Sequence, residues 1–169
     1  MTGPRTAVLI HGISSVPACW DRVIPALTGR YRLHAVDLFD RSRGRFSLAA
    51  APDRLAEELG GSGAAIVIGH SMGGVIAAML AIRHSLLVEK LVLVAAPIMP
   101  LPGTRLSQAS GVLRSAARER LDIGTARLLT SGVLRAGPLP LIQALRDTLE
   151  VDLTPLLGRI AAPTLLVWG

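Results

Sequence analysis

Short apolar, β-branched runs alternate with segments of helical periodicity through the first half of the chain. Thr6–Ile10 reads as a strand buried on both faces, and it ends at His11-Gly12. Pro17–Leu27 predicts a helix with proline near its first turn and Gly29 just past its end. Arg32–Leu38 reads as a second strand. Ser47 is a candidate cap for a helix on which Leu48, Ala51, Leu55 and Leu59 recur at helical spacing, with Gly60-Gly61 as its stop. Ala64–Ile68 is a third apolar strand, Met72–His84 a helix built mostly of Ala, Ile, Val, Leu and Met, and Val88–Ala95 a fourth strand. Apolar strands alternating with helices predict an α/β fold, a mostly parallel sheet with helices on both faces.

Pro97 breaks this alternation. Residues 97–162 hold no convincing strand. Leu106–Leu134, Leu141–Leu149 and Thr154–Ile160 read as helices, and Pro163–Trp168 as a final strand before Gly169. The expected organisation is a core over residues 1–96, a helical insertion over 97–150, and a return to the sheet over 151–169.

Composition narrows the function. Half of the 169 residues are hydrophobic and 18% are charged, which excludes intrinsic disorder. No apolar run approaches the roughly 18 residues of a membrane span, so none is expected. The formal charge of +6 comes with arginine at all but one of the eighteen basic positions. These are scattered from Arg5 to Arg159 among acids, and Glu119 and Asp122 dilute the cluster Arg114, Arg118, Arg120. Aromatic residues make up only 3%, too few for base stacking, so nucleic acid is not the expected partner. Cys19 stands alone, which excludes an intrachain disulfide and predicts a reducing compartment, the cytoplasm. It is read as a small packing residue. The histidines lack paired-ligand spacing, so neither a metal nor a cofactor is expected.

One motif carries chemistry. Gly69-His70-Ser71-Met72-Gly73 matches G-x-S-x-G, following one apolar strand and opening the next helix. A turn this tight requires neighbours without bulk two residues before and after the serine. Gly69 and Gly73 satisfy that, and Gly74 adds room. The turn lifts the Ser71 hydroxyl above the sheet edge, where the unpaired N–H groups of the new helix point toward a reacting carbonyl. No phosphate-loop or dinucleotide pattern competes. His11-Gly12 ends the first strand, and a loop there can aim a backbone N–H at the space above Ser71. The expected oxyanion donors are the N–H groups of Ile13 and Met72. His11 is read as shaping this loop rather than as a base.

With these residues the chain resembles the serine α/β-hydrolases, particularly carboxylesterases, lipase-like enzymes and cofactor-free haloperoxidase relatives. Val8–Gly12 looks like the family's strand and oxyanion loop, and Trp20 with Ile24–Leu27 like its first helix. Val36-Asp37-Leu38 resembles the start of its D-L-P-G-x-G-x-S segment, with Ser42 in the serine position and Phe39-Asp40-Arg41 as a departure. Gly69–Gly74 looks like the elbow, Leu91–Pro97 like the next strand, and Ile160–Gly169 like the strand that precedes the catalytic acid. The resemblance implies the α/β-hydrolase fold with residues 97–150 in the position of its helical cap. It also implies a serine hydrolase acting on a small-molecule acyl ester or thioester through an acyl-enzyme on Ser71.

The family's chain order is serine, acid, histidine. The expected acid and histidine positions fall after Gly169, so the chain is expected to be C-terminally truncated, without the last strand and helix, and weakly active. His84 is the one histidine after Ser71, and it is read as a helix-end residue. The open edge along Leu165, Leu166 and Val167 offers a surface for self-association. The alternative function is a non-catalytic binding or self-association module on the same fold.

Overall fold

The computed structural model describes residues 5–40, 42, 44–61, 63–100, 103–104, 107–108, 110–111 and 123–168. Among the described residues five parallel strands form one sheet: β1 (Arg5–Ile10), β2 (Tyr31–Val36), β3 (Ala65–His70), β4 (Val88–Val94) and β5 (Thr164–Val167). Their spatial order is β2-β1-β3-β4-β5. This is an α/β architecture, with helices packed on a parallel sheet as the alternation of apolar strands predicts.

Physical reasons for the strands are visible residue by residue. Val8, Leu9, Ile10 and Val67 are fully buried, as expected where helices cover both faces. Each such side chain contributes about 1.5–3 kcal/mol of burial. β5 differs. It is an edge strand, and Leu165 and Leu166 stay more than half exposed, at 58% and 57%.

α3 (Met72–Arg83) is buried along its whole length up to Ile82. It packs on β3, β4 and β1 and against α2 (Ala51–Leu59), which accounts for its apolar character on every face. α2 is amphipathic, burying Leu55, Ala56 and Leu59. It begins at Ala51 rather than at the predicted cap Ser47. Pro52 belongs in a first turn, and residues 48–50 form a turn instead. Ser47 still closes that turn, its carbonyl accepting the Ala51 N–H at 2.9 Å.

Pro17–Leu27 also departs from expectation. Instead of one helix there are two short pieces, a 3-10 turn at Pro17–Trp20 and α1 at Ile24–Leu27. Pro25 explains the break. It lacks the N–H that would bond the carbonyl of Asp21, and its ring would clash there.

Residues 95–163 connect β4 to its parallel neighbour β5. This connection holds α4 (Ile123–Ala136) and α5 (Pro138–Glu150), followed by a 3-10 segment at Thr154–Arg159. Much of the predicted helix Leu106–Leu134 lies outside the described residues, as do Arg114, Arg118, Arg120, Glu119 and Asp122. Among the described residues no single helix is long and apolar enough to cross a membrane.

Candidate active site

In strand order β2-β1-β3-β4-β5 the chain passes from β1 to β2 on one side and then crosses back past β1 to β3 on the other, so the order reverses beside β1. In open α/β sheets the crevice beyond the carboxyl ends of the strands at such a reversal is where ligands bind. The residues following β1 and β3, His11–Ile13 and Ser71, meet there. Ile10 is in register with Gly69, which brings the two strand ends side by side.

Ser71 has φ 52° and ψ −123°, a conformation that costs a non-glycine residue about 1–3 kcal/mol. The turn is held from both sides. The Ser71 N–H donates to the Val94 carbonyl at 2.8 Å, and the Ser71 carbonyl accepts from the Gly74 N–H at 2.8 Å. The flanking glycines are required by close approach. A Cβ on Gly69 would overlap the Gly73 carbonyl oxygen and sit 2.6 Å from the Gly74 Cα. A Cβ on Gly73 would overlap the Ile10 carbonyl and lie 2.5 Å from the His11 carbonyl oxygen. Gly12 lets its loop come close too, since its Cβ would stand 3.1 Å from both the Ser71 Cβ and the His70 Nδ1.

A cavity of about 310 Å³ opens beside this turn. Gly12, Ile13, His70 and Ser71 line it, together with apolar Trp20, Val23, Val94 and Leu129. The structure therefore brings the predicted nucleophile and the Ile13 loop to one space. Met72 follows Ser71 directly as the first residue of α3, where a backbone N–H has no intrahelical acceptor. Its side chain is fully buried in the core. Cys19 is half-buried at the same cavity, and burial pushes its thiol above the usual range.

His11 is fully buried beneath the loop. Its Nδ1 donates to the Gly12 carbonyl at 2.8 Å, and its Nε2 accepts the Leu38 N–H at 3.2 Å. Both nitrogens are occupied, and the two bonds together fix one neutral tautomer. Burial holds its pKa below the usual 6.5, outweighing the Gly12 bond and nearby Asp37. Asp37 in turn pairs with Arg135 of α4 at 2.7 Å.

Comparison with known proteins agrees with this architecture. Residues 7–169 match the model of the alpha/beta hydrolase family. The chain belongs to that family. It is 32% identical over 99% of its length to a pimeloyl-[acyl-carrier protein] methyl ester esterase of Edwardsiella ictaluri, and covers 75% of that protein. A protein of the same description from Sodalis glossinidius is 33% identical, with 99% of this chain and 76% of the relative covered. A solved hydrolase from Pseudomonas aeruginosa superposes with TM-score 0.78 at 24% identity, over 100% of this chain and 73% of that one.

The Ser71 hydroxyl makes no hydrogen bond to a described residue. His84 sits at the far end of α3, where its Nε2 is 2.8 Å from Asp53 Oδ1. His34 lies on β2 beside Glu58 at 3.3 Å. Ser42 is exposed, with its N–H on Asp40 at 2.9 Å; Arg41 lies outside the described residues. Sequence reasoning missed Trp20, Val23 and Leu129 as cavity residues. Their apolar character matches that of core residues, so no sequence signal separates the two. It also missed the Asp37–Arg135 pair, whose members are nearly a hundred positions apart.

Proposed function

We propose that this chain is the nucleophile-bearing part of a serine hydrolase that cleaves a carboxylic ester or thioester through an acyl-enzyme on Ser71. The observation that carries the reading is the strained Ser71 turn opening onto an apolar cavity shared with Gly12 and Ile13. In the reaction Ser71 Oγ attacks the acyl carbonyl and loses its proton to a base. The tetrahedral oxyanion is held by the N–H groups of Ile13 and Met72, the alcohol or thiol leaves with a proton, and water then releases the acid. The cavity's Trp20, Val23, Val94 and Leu129 suit the apolar chain of the acyl group. Relatives described as methyl ester esterases favour an ester of a medium-length acyl chain as the first substrate class to try.

The reading takes the general base and its acid from outside residues 1–169, because no described histidine is bonded to Ser71. Without them, serine hydrolases keep a residual rate of roughly 10³–10⁴ over water from oxyanion stabilisation and binding. The test is covalent labelling with a fluorophosphonate, alongside hydrolysis of p-nitrophenyl esters of graded chain length. Labelling that is slow but saturating in the wild type and absent in Ser71→Ala is the expected result. Equal labelling of the two proteins overturns the reading and leaves a non-catalytic module on the same fold.

A further inference from the structure

α4 reaches the candidate site at three successive points of one helix face. Leu129 lines the cavity beside Ser71. One turn on, Gly132 is buried directly against the loop that follows β1. A Cβ there would overlap the Ser14 carbonyl and stand 2.8 Å from the Ser15 nitrogen. Ser14 itself is held at φ 57°, a left-handed conformation uncommon for a residue other than glycine. One turn further, Arg135 Nη2 pairs with Asp37 Oδ2 at 2.7 Å, and the Asp37 side chain is only 16% exposed.

These contacts bracket Ile13. On one side α4 presses on Ser14 and Ser15. On the other, Arg135 fixes Asp37, the neighbouring Leu38 N–H holds His11 Nε2, and His11 Nδ1 holds the Gly12 carbonyl. Gly12 and Ser14 are the residues on either side of Ile13. The geometry points to Gly132 as a positioning residue. With Arg135, it clamps residues 12–15 and so sets the direction of the Ile13 N–H over Ser71. The inference rests on the proposed role of Ile13 as an oxyanion donor. It assigns α4 a part in forming the site as well as covering it. Glycine is needed at 132 because the helix backbone lies in contact with the loop backbone, and any side chain would separate them.

Two measurements test the clamp on the whole chain. The first is amide hydrogen exchange of residues 12–16 in wild type, Gly132→Ala, Arg135→Gln and Arg135→Lys, with β1 and β3 as internal references. The second is the second-order rate of fluorophosphonate labelling of Ser71, in which the phosphonyl oxygen occupies the oxyanion position. Gly132→Ala is expected to speed exchange in 12–16 alone and to slow labelling by about 10–100-fold, the cost of roughly 1 Å of misplacement. Arg135→Gln moves both readings the same way by a smaller factor, and Arg135→Lys restores them in part.

If Gly132→Ala folds and exchange in 12–16 matches wild type, the clamp is wrong. Equal loss of protection in β1 and β3 also overturns it, since the effect is then global. If Gly132→Ala does not fold, Arg135→Gln decides the matter, because that side chain is half exposed and its loss leaves the core intact. If wild type and Ser71→Ala label alike, the hydrolase reading has failed. The exchange data then still decide whether α4 holds the loop.

Discussion

The two ends of α3 each gather polar side chains and differ in what surrounds them. At its C-terminal end a histidine, an aspartate and an arginine come together, with His84 at 2.8 Å and Arg83 at 3.0 Å from Asp53. In composition this looks like acid–base machinery, yet the pair lies exposed on the surface, and no described serine is bonded to it. At the N-terminal end, about 18 Å away by helix rise, stands a serine whose hydroxyl bonds no described residue. It is strained, enclosed by glycines and open to an apolar cavity. The difference teaches that placement outweighs residue type. A reactive site needs a space beside the reacting group, and among the described residues a cavity opens at the N-terminal end.

The largest effect separating the two ends is expected at Gly73. Gly73→Ala drives a methyl group into the Ile10 and His11 carbonyls, and a loss above about 4 kcal/mol is expected by urea denaturation, enough to unfold the chain. A variant that melts like wild type would mean the turn has slack, and the contrast between the ends would collapse.

His11→Ala comes next. It leaves the Gly12 carbonyl and the Leu38 N–H unpaired under the loop, for a loss of about 2–4 kcal/mol. The same histidine predicts a pH dependence. Its folded pKa lies below 6.5, so the unfolded chain binds the proton more readily. Stability is therefore fully present above 6.5 and falls as pH drops from there toward the folded pKa. Denaturation midpoints at pH 7.5 and 5.5 should diverge in wild type and converge in His11→Ala.

Ser71→Gly has the opposite sign. Removing the side chain from a left-handed position relieves strain of about 1–3 kcal/mol, while glycine's extra freedom when unfolded returns about 0.5–1. A net gain of about 1 kcal/mol is expected, together with complete loss of labelling. A destabilised Ser71→Gly would argue against strain at this residue.

The smallest effect belongs to the other end of the helix. Asp53→Asn should cost under about 1 kcal/mol, because the pair it breaks is exposed. The hydrogen bond from His84, with Arg83 alongside, holds the Asp53 carboxyl below its ordinary range. Its contribution is thus present at neutral pH and lost only as acid titrates the folded carboxylate. Labelling of Ser71 should be unchanged in Asp53→Asn and in His84→Ala. A fall in either rate would mean that the C-terminal pair communicates with the cavity.

Much of this molecule was legible from short-range pattern. The four strands of the first half appear within two residues of their predicted limits, because an apolar run between glycines has few other ways to fold. Pro25 and Pro52 moved helix limits by local rules that weigh one ring against one carbonyl. The Ser71 turn was readable for the same reason. Gly69, Gly73 and Gly74 record a steric demand made within six residues of chain.

Sequence by itself determined the alternation of strands and helices, the identity of the strained serine, and the glycines that make room for it. Tertiary structure alone decided the strand order β2-β1-β3-β4-β5, which sets the end of β1 beside the end of β3 and creates the crevice. It alone joined Arg135 to Asp37, pressed Gly132 against Ser14, and sent His84 to Asp53 rather than to Ser71. The physical reason is range. Periodicity and turn sterics act over a few residues and leave their mark in local spacing. Contacts between distant segments depend on how whole layers pack, and no local spacing encodes them.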